Sequence, residues 1–75
     1  MGSSFEKARL ERASMIKVNA ANTSFKMTIL DKANLSEAYL SGTSFLRAYM
    51  RGAILDRAQL SLTLFIDSNL YGATG

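Results

Sequence analysis

Glu11 and Asp31 carry the most suggestive chemistry in this chain, two carboxylates twenty residues apart. Paired carboxylates can share a cation or divide acid and base roles. Other catalytic arrangements fail on composition. Histidine and cysteine are absent, so the many Ser and Thr hydroxyls have no imidazole base, and the usual zinc ligand sets are excluded. No Walker-type loop or glycine-rich phosphate cradle is present. Tyr39, Tyr49 and Tyr71, with Arg47 and Arg51 nearby, are of the type that stacks on nucleic-acid bases. We expect no enzyme and no cofactor. Glu11 and Asp31 read as a pair screened by Arg12, Lys32 and Arg51 on a solvated face without a pocket to focus chemistry. The tyrosines read as surface aromatics.

Size and composition bound the scaffold that could position these groups. The 75 residues make one domain, residues 1–75, below the roughly 80 at which a chain commonly needs disulfides, metal or a partner. Disulfides are unavailable. A hydrophobic content of 48% argues against disorder. The net charge of +3 is mildly basic, far from a nucleic-acid-binding arm. No apolar run approaches the ~20 residues of a membrane span, and the charged first residues hold no signal-peptide core. The lack of cysteine fits a reducing compartment, so the expected location is cytoplasmic.

A five-residue repeat runs the length of the chain: SSFEK, ARLER, ASMIK, VNAAN, TSFKM and so on from Ser3. The third slot is apolar throughout, including Phe5, Leu10, Phe25, Leu30, Phe45, Met50, Phe65 and Leu70, with Ala20 the only small member. The first slot holds only Ser, Ala, Val and Thr, and every charge falls in the remaining three. On an α-helix a five-residue step turns about 500° and scatters the large residues; on a continuous strand successive repeats would face opposite ways. All third slots point inward only if the chain turns a corner once per repeat. The pattern therefore predicts an all-β coil whose circuits stack about 4.8 Å apart.

Four sides per circuit place residues twenty apart in one column. Phe5, Phe25, Phe45 and Phe65 then stack, and these are all the phenylalanines; chance gives that roughly 1 time in 500. Ser3, Thr23, Thr43 and Thr63 form a hydroxyl column beside them. Gly2, Gly42, Gly52 and Gly72 share the fifth slot, which predicts positive φ at a corner, as in a type II turn. Val18 is expected to compensate for the small Ala20. The outer charges predict ladders, Lys17–Glu37–Arg57 and Glu6–Lys26, of small energetic value.

With ANLSE at 33–37, and SFEKA, ILDRA and NLYGA in shifted register, the chain resembles the pentapeptide-repeat family. The resemblance implies a right-handed quadrilateral β-helix of nearly four coils. Its best-known members inhibit DNA gyrase and related topoisomerases by mimicking DNA, which requires an acidic surface. A chain of charge +3 with second-slot Asn only at Asn19, Asn34 and Asn69, and no second-slot Asp, is a poor mimic.

Function must then lie on the outside. Met27, Leu46, Leu62, Leu64 and Ile66 are apolar residues in outer slots of the phenylalanine side or its preceding corner, and Tyr49 and Tyr71 lie on the next side. A contiguous apolar patch marks an interface, so these seven are the expected partner-binding residues. The expected function is a non-catalytic protein–protein interaction or scaffold module. The alternative is a structural unit stacking end to end, because the repeats run from Ser3 to Ala73 without room for capping helices and fifteen fives keep the register across a junction. No small-molecule substrate is expected.

Overall fold

A computed structural model describes residues 4–75, so Met1, Gly2 and Ser3, with their places in the glycine and hydroxyl columns, lie outside the described residues. Each repeat closes a turn from its third slot to the first slot of the next. In the first, Ala8 N–H donates to the Phe5 carbonyl at 3.1 Å. The fifth slot has positive φ at every repeat, from Lys7 (62°) through Gly42 (73°) to Asp67 (56°), while no fourth-slot residue does. Negative then positive φ across a hydrogen-bonded turn is the type II arrangement. Glycine was expected at this corner, yet eleven non-glycine residues also adopt it. Side chains pay for the left-handed region in local strain, so neighbouring circuits must hold each corner in place.

They do so by hydrogen bonding. Every isolated parallel bridge joins residues twenty apart, from Ser4 with Ser24 to Ile54 with Thr74, so four repeats complete one circuit. The third-slot N–H donates upward, as Phe25 to Ser44 O at 2.8 Å, and so does the fifth, as Met27 to Leu46 O at 2.8 Å. The second-slot N–H donates downward, as Tyr49 to Thr28 O at 2.9 Å. Pairing stays limited to single bridges because two of every five residues are spent on the corner.

We number the sides from their repeats. Side one contains 23–27, 43–47 and 63–67; side two 8–12, 28–32, 48–52 and 68–72; side three 13–17, 33–37 and 53–57; side four 18–22, 38–42 and 58–62.

The core is the stack of third slots lined by first slots. Phe25, Leu30, Leu35, Leu40, Phe45 and Met50 are fully buried, with Ala33, Ala38 and Ala48 at the corners. The phenylalanine rings stack with centroids 5.2 Å apart throughout. Val18 packs against the core near Ala20, as expected. Two expected core residues are corrected: Phe5 is 43% exposed and Leu70 37%, because each has a neighbouring circuit on one side only. Leu10 and Phe65 are likewise only partly buried.

Threonine hydroxyls of the first slot complete the interior. Thr43 Oγ1 donates to Ala20 O at 2.6 Å and Thr63 Oγ1 to Leu40 O at 2.7 Å. Among the described residues only the turn beginning at Ala20 lacks its closing backbone bond, so the Thr43 hydroxyl is the donor that serves this carbonyl. No helix among them is long and apolar enough to cross a membrane.

Candidate functional site: the outer faces

The carboxylates Glu11 and Asp31 occupy one fourth-slot column on side two, as the spacing predicts, but they do not act together. Asp31 is committed to Arg51 one circuit above. Its Oδ1 accepts from the Arg51 backbone N–H at 3.0 Å, and its Oδ2 from Nε and Nη2 at 3.2 and 2.7 Å. Those side-chain hydrogen bonds hold the Asp31 carboxyl below its ordinary value, with burial opposing them, and raise Arg51 in return. A carboxylate so held does not serve as a proton donor near neutrality. Glu11 faces Arg9 at 3.7 Å instead. Arg51 also lies over the Tyr49 ring, 5.9 Å from its centroid, which engages that tyrosine within its own side.

These are the ion pairs among the described residues. The ladders Lys17–Glu37–Arg57 and Glu6–Lys26 form none. Their members stay largely in water, where pairing gains little over solvation. No cavity opens in the described surface.

Second-slot asparagines have a structural role that sequence reasoning missed. The fourth-slot N–H takes no part in the backbone-to-backbone bonding between circuits. At two repeats a second-slot asparagine supplies a close acceptor for it: Asn34 Oδ1 accepts from Ser36 N–H at 3.1 Å and Asn69 Oδ1 from Tyr71 N–H at 3.0 Å. These are Asx-type caps. Tyr49 cannot supply one, and Asp31 caps Arg51 from the circuit below instead. The signal was present in the i, i+2 placement of Asn19, Asn34 and Asn69 before polar or small residues.

Of the seven expected contact residues, four share one region. Leu64 and Ile66 stand on side one, 50% and 55% exposed, with half-buried Leu46 in the column beneath Ile66, and Leu62 at the entering corner is 86% exposed. Met27 is half-buried, two circuits below the Ile66 level, in a column with Arg47 and Asp67. Tyr49 and Tyr71 lie on side two, beyond that charged corner, so the structure divides the expected patch.

Sequence reasoning also missed the character of side four. All Lys, Arg, Asp and Glu residues fall on the other three sides, and 18–22, 38–42 and 58–62 carry none. The signal is a period of twenty, readable only once the number of sides is known.

The sequence matches the family model described as pentapeptide repeats, in eight copies, over residues 28–66 and 44–74. No curated protein matches it. Among solved structures, a pentapeptide repeat protein from Nostoc Pcc 7120 is 27% identical with a TM-score of 0.60, covering 93% of this chain and 62% of its own. A pentapeptide repeat protein from the Arabidopsis thaliana thylakoid lumen is 28% identical with a TM-score of 0.48, covering 97% and 57%. This chain thus spans about three fifths of the length of the solved proteins it matches.

Proposed function

Because the chain belongs to the pentapeptide-repeat family, whose members fold as right-handed quadrilateral β-helices, we propose that it is a non-catalytic protein–protein interaction or scaffold module of nearly four coils. One observation carries this reading: Leu46, Leu62, Leu64 and Ile66 form an apolar cluster on a framework whose backbone is fixed from circuit to circuit. A rigid surface loses little conformational entropy on binding, and apolar side chains rimmed by polar ones are the composition of an interface centre. Tyr49 and Tyr71 extend the surface on side two only for a partner that spans the Arg47–Asp67 corner. Mimicry of DNA has no support in a net charge of +3.

Affinity capture from cells of the source organism, comparing the wild type with Leu64→Lys/Ile66→Lys, tests the reading. Both positions are exposed, so the double variant should keep its circular dichroism and thermal midpoint while losing its specific partners. An unchanged set of captured proteins would overturn the assignment.

A further inference from the structure

We infer that side four is a self-association face, on which a second copy of this chain docks by the same side about a two-fold axis. The inference rests on other residues than the apolar cluster of side one, with Leu62 standing at the corner the two sides share.

Charge identifies the occupant. Side two carries Arg9, Arg12, Lys32 and Arg51 against Glu11 and Asp31, and sides one and three are also charged. A nucleic acid or acidic peptide would be drawn to side two, and side four offers a charged partner of either sign no counter-charge. Its own copy is the partner whose matching surface is charge-free by construction. Pairing these faces brings no like charges together and leaves no ion desolvated without a partner.

The polar groups suit a two-fold contact for a second reason. Asn19, Tyr39 and Gln59 form the bridged outer column of this side. Side-chain amides and a phenol each both donate and accept, so they can bond to their own symmetry mates, as an isologous interface requires. The backbone N–H groups of Ser41 and Ser61 have no partner among the described residues, as is also true of several fourth-slot N–H groups on the other sides, and on side four they lie open beside Tyr39 and Gln59. Tyr39 stands 46% exposed among fourth-slot side chains no larger than Ser. Tyrosine is enriched, and charge depleted, in the centres of interfaces.

Size sets the strength. A molecule measuring 29 × 24 × 19 Å has no side larger than about 700 Å², under the ~800 Å² per partner of a standard interface. The dimer is therefore weak, with a dissociation constant on the order of 0.1–1 mM.

Sedimentation velocity from about 10 µM to 1 mM, with NMR shifts followed on dilution, tests the proposal. The expected result is a monomer–dimer equilibrium with shift changes on side four, insensitive to salt between 50 and 500 mM because no charge is engaged. Tyr39→Glu and Ser61→Lys should each weaken it at least tenfold, and Ile16→Lys on side three should not. Ser61→Lys keeps the test decisive if Tyr39→Glu does not fold, since the same slot carries Arg51 in its natural state. A monomer throughout, or a dimer dispersed by salt, would overturn the inference. So would species longer than a dimer that resist both side-four variants, which would point to stacked ends, or a dimer lost only in Leu64→Lys, which would point to side one.

Discussion

Phe45→Ala is the perturbation that most directly tests how this domain is held together. The ring is fully buried and stacked between Phe25 and Phe65, each centroid 5.2 Å away, with planes 9° and 6° from parallel. Removing it forfeits the transfer energy of the ring and leaves a cavity that hydrogen-bonded circuits cannot collapse around, a loss of roughly 3–5 kcal/mol. A 75-residue domain has a total stability of about 4–11 kcal/mol, so the substitution takes a large share of it. Phe65 has one stacked neighbour and is only partly buried, and Phe5 has one and is 43% exposed. The expected order of cost is therefore Phe25 and Phe45 together, then Phe65, then Phe5 at about 1–2 kcal/mol. Urea denaturation followed by circular dichroism reads the series, and Phe45→Leu, at roughly 1–1.5 kcal/mol, covers the case in which Phe45→Ala is unfolded at the start. Equal costs along the column, or a larger loss at Phe5 than at Phe45, would refute the picture of a stack whose energy depends on covered neighbours.

Three further outcomes follow from the same geometry. Thr43→Val should cost about 1–3 kcal/mol in urea denaturation, because Ala20 O loses its donor, whereas Thr63→Val should cost less, since Leu40 O keeps the Thr43 N–H at 3.1 Å. Gly42→Ala should destabilise by roughly 1 kcal/mol: its φ is +73°, and the atom an added Cβ would meet is the exposed Asn22 side-chain amide, which can swing aside. In a double-mutant cycle with Asn22→Ala, the two costs should therefore add to within about 0.5 kcal/mol. The Asp31 carboxyl is depressed by Arg51 in the folded state and returns to its ordinary value on unfolding. Its contribution is thus complete above the ordinary carboxylate range and lost as pH falls below about 4 through the folded value. Thermal midpoints measured from pH 7 to pH 2 should fall less steeply in Asp31→Asn, and identical slopes would show that the pair contributes nothing.

The inward half of this molecule was legible because burial imposes one requirement on every repeat. A large apolar third slot and a small first slot recur at period five, and the coincidence of Phe5, Phe25, Phe45 and Phe65 identifies the four sides, which the bridges at twenty residues bear out. The corners were legible only in part. Glycine at 42, 52 and 72 announces positive φ, but Leu62 or Glu37 in the same conformation carries no such mark, because there tertiary hydrogen bonding overrides a local preference. The pairing of Asp31 with Arg51 was masked for a different reason. Arg51 was legible only as one of three cations screening Asp31, and the bond that singles it out is the one that also satisfies its own open backbone N–H.

The same division explains why the outer surface says so much less than the core. Once the third and first slots have built the stack, the second, fourth and fifth slots are nearly free of folding duties: arginine, glycine and leucine all serve at the corner. What selects those residues must then act at period twenty, along a side, and not at period five. Side two alternates cations with carboxylates, upper side one concentrates Leu46, Leu64 and Ile66, and side four excludes charge from all three of its repeats. One backbone carries three different surface chemistries, whereas solvation alone would place charge on all four sides alike. The charge-free side is the sharpest departure from that expectation. A lysine tolerated at Ile16 but disruptive at Ser61, two exposed fourth-slot positions on adjacent sides, would show that the selecting environment is a partner and not the fold.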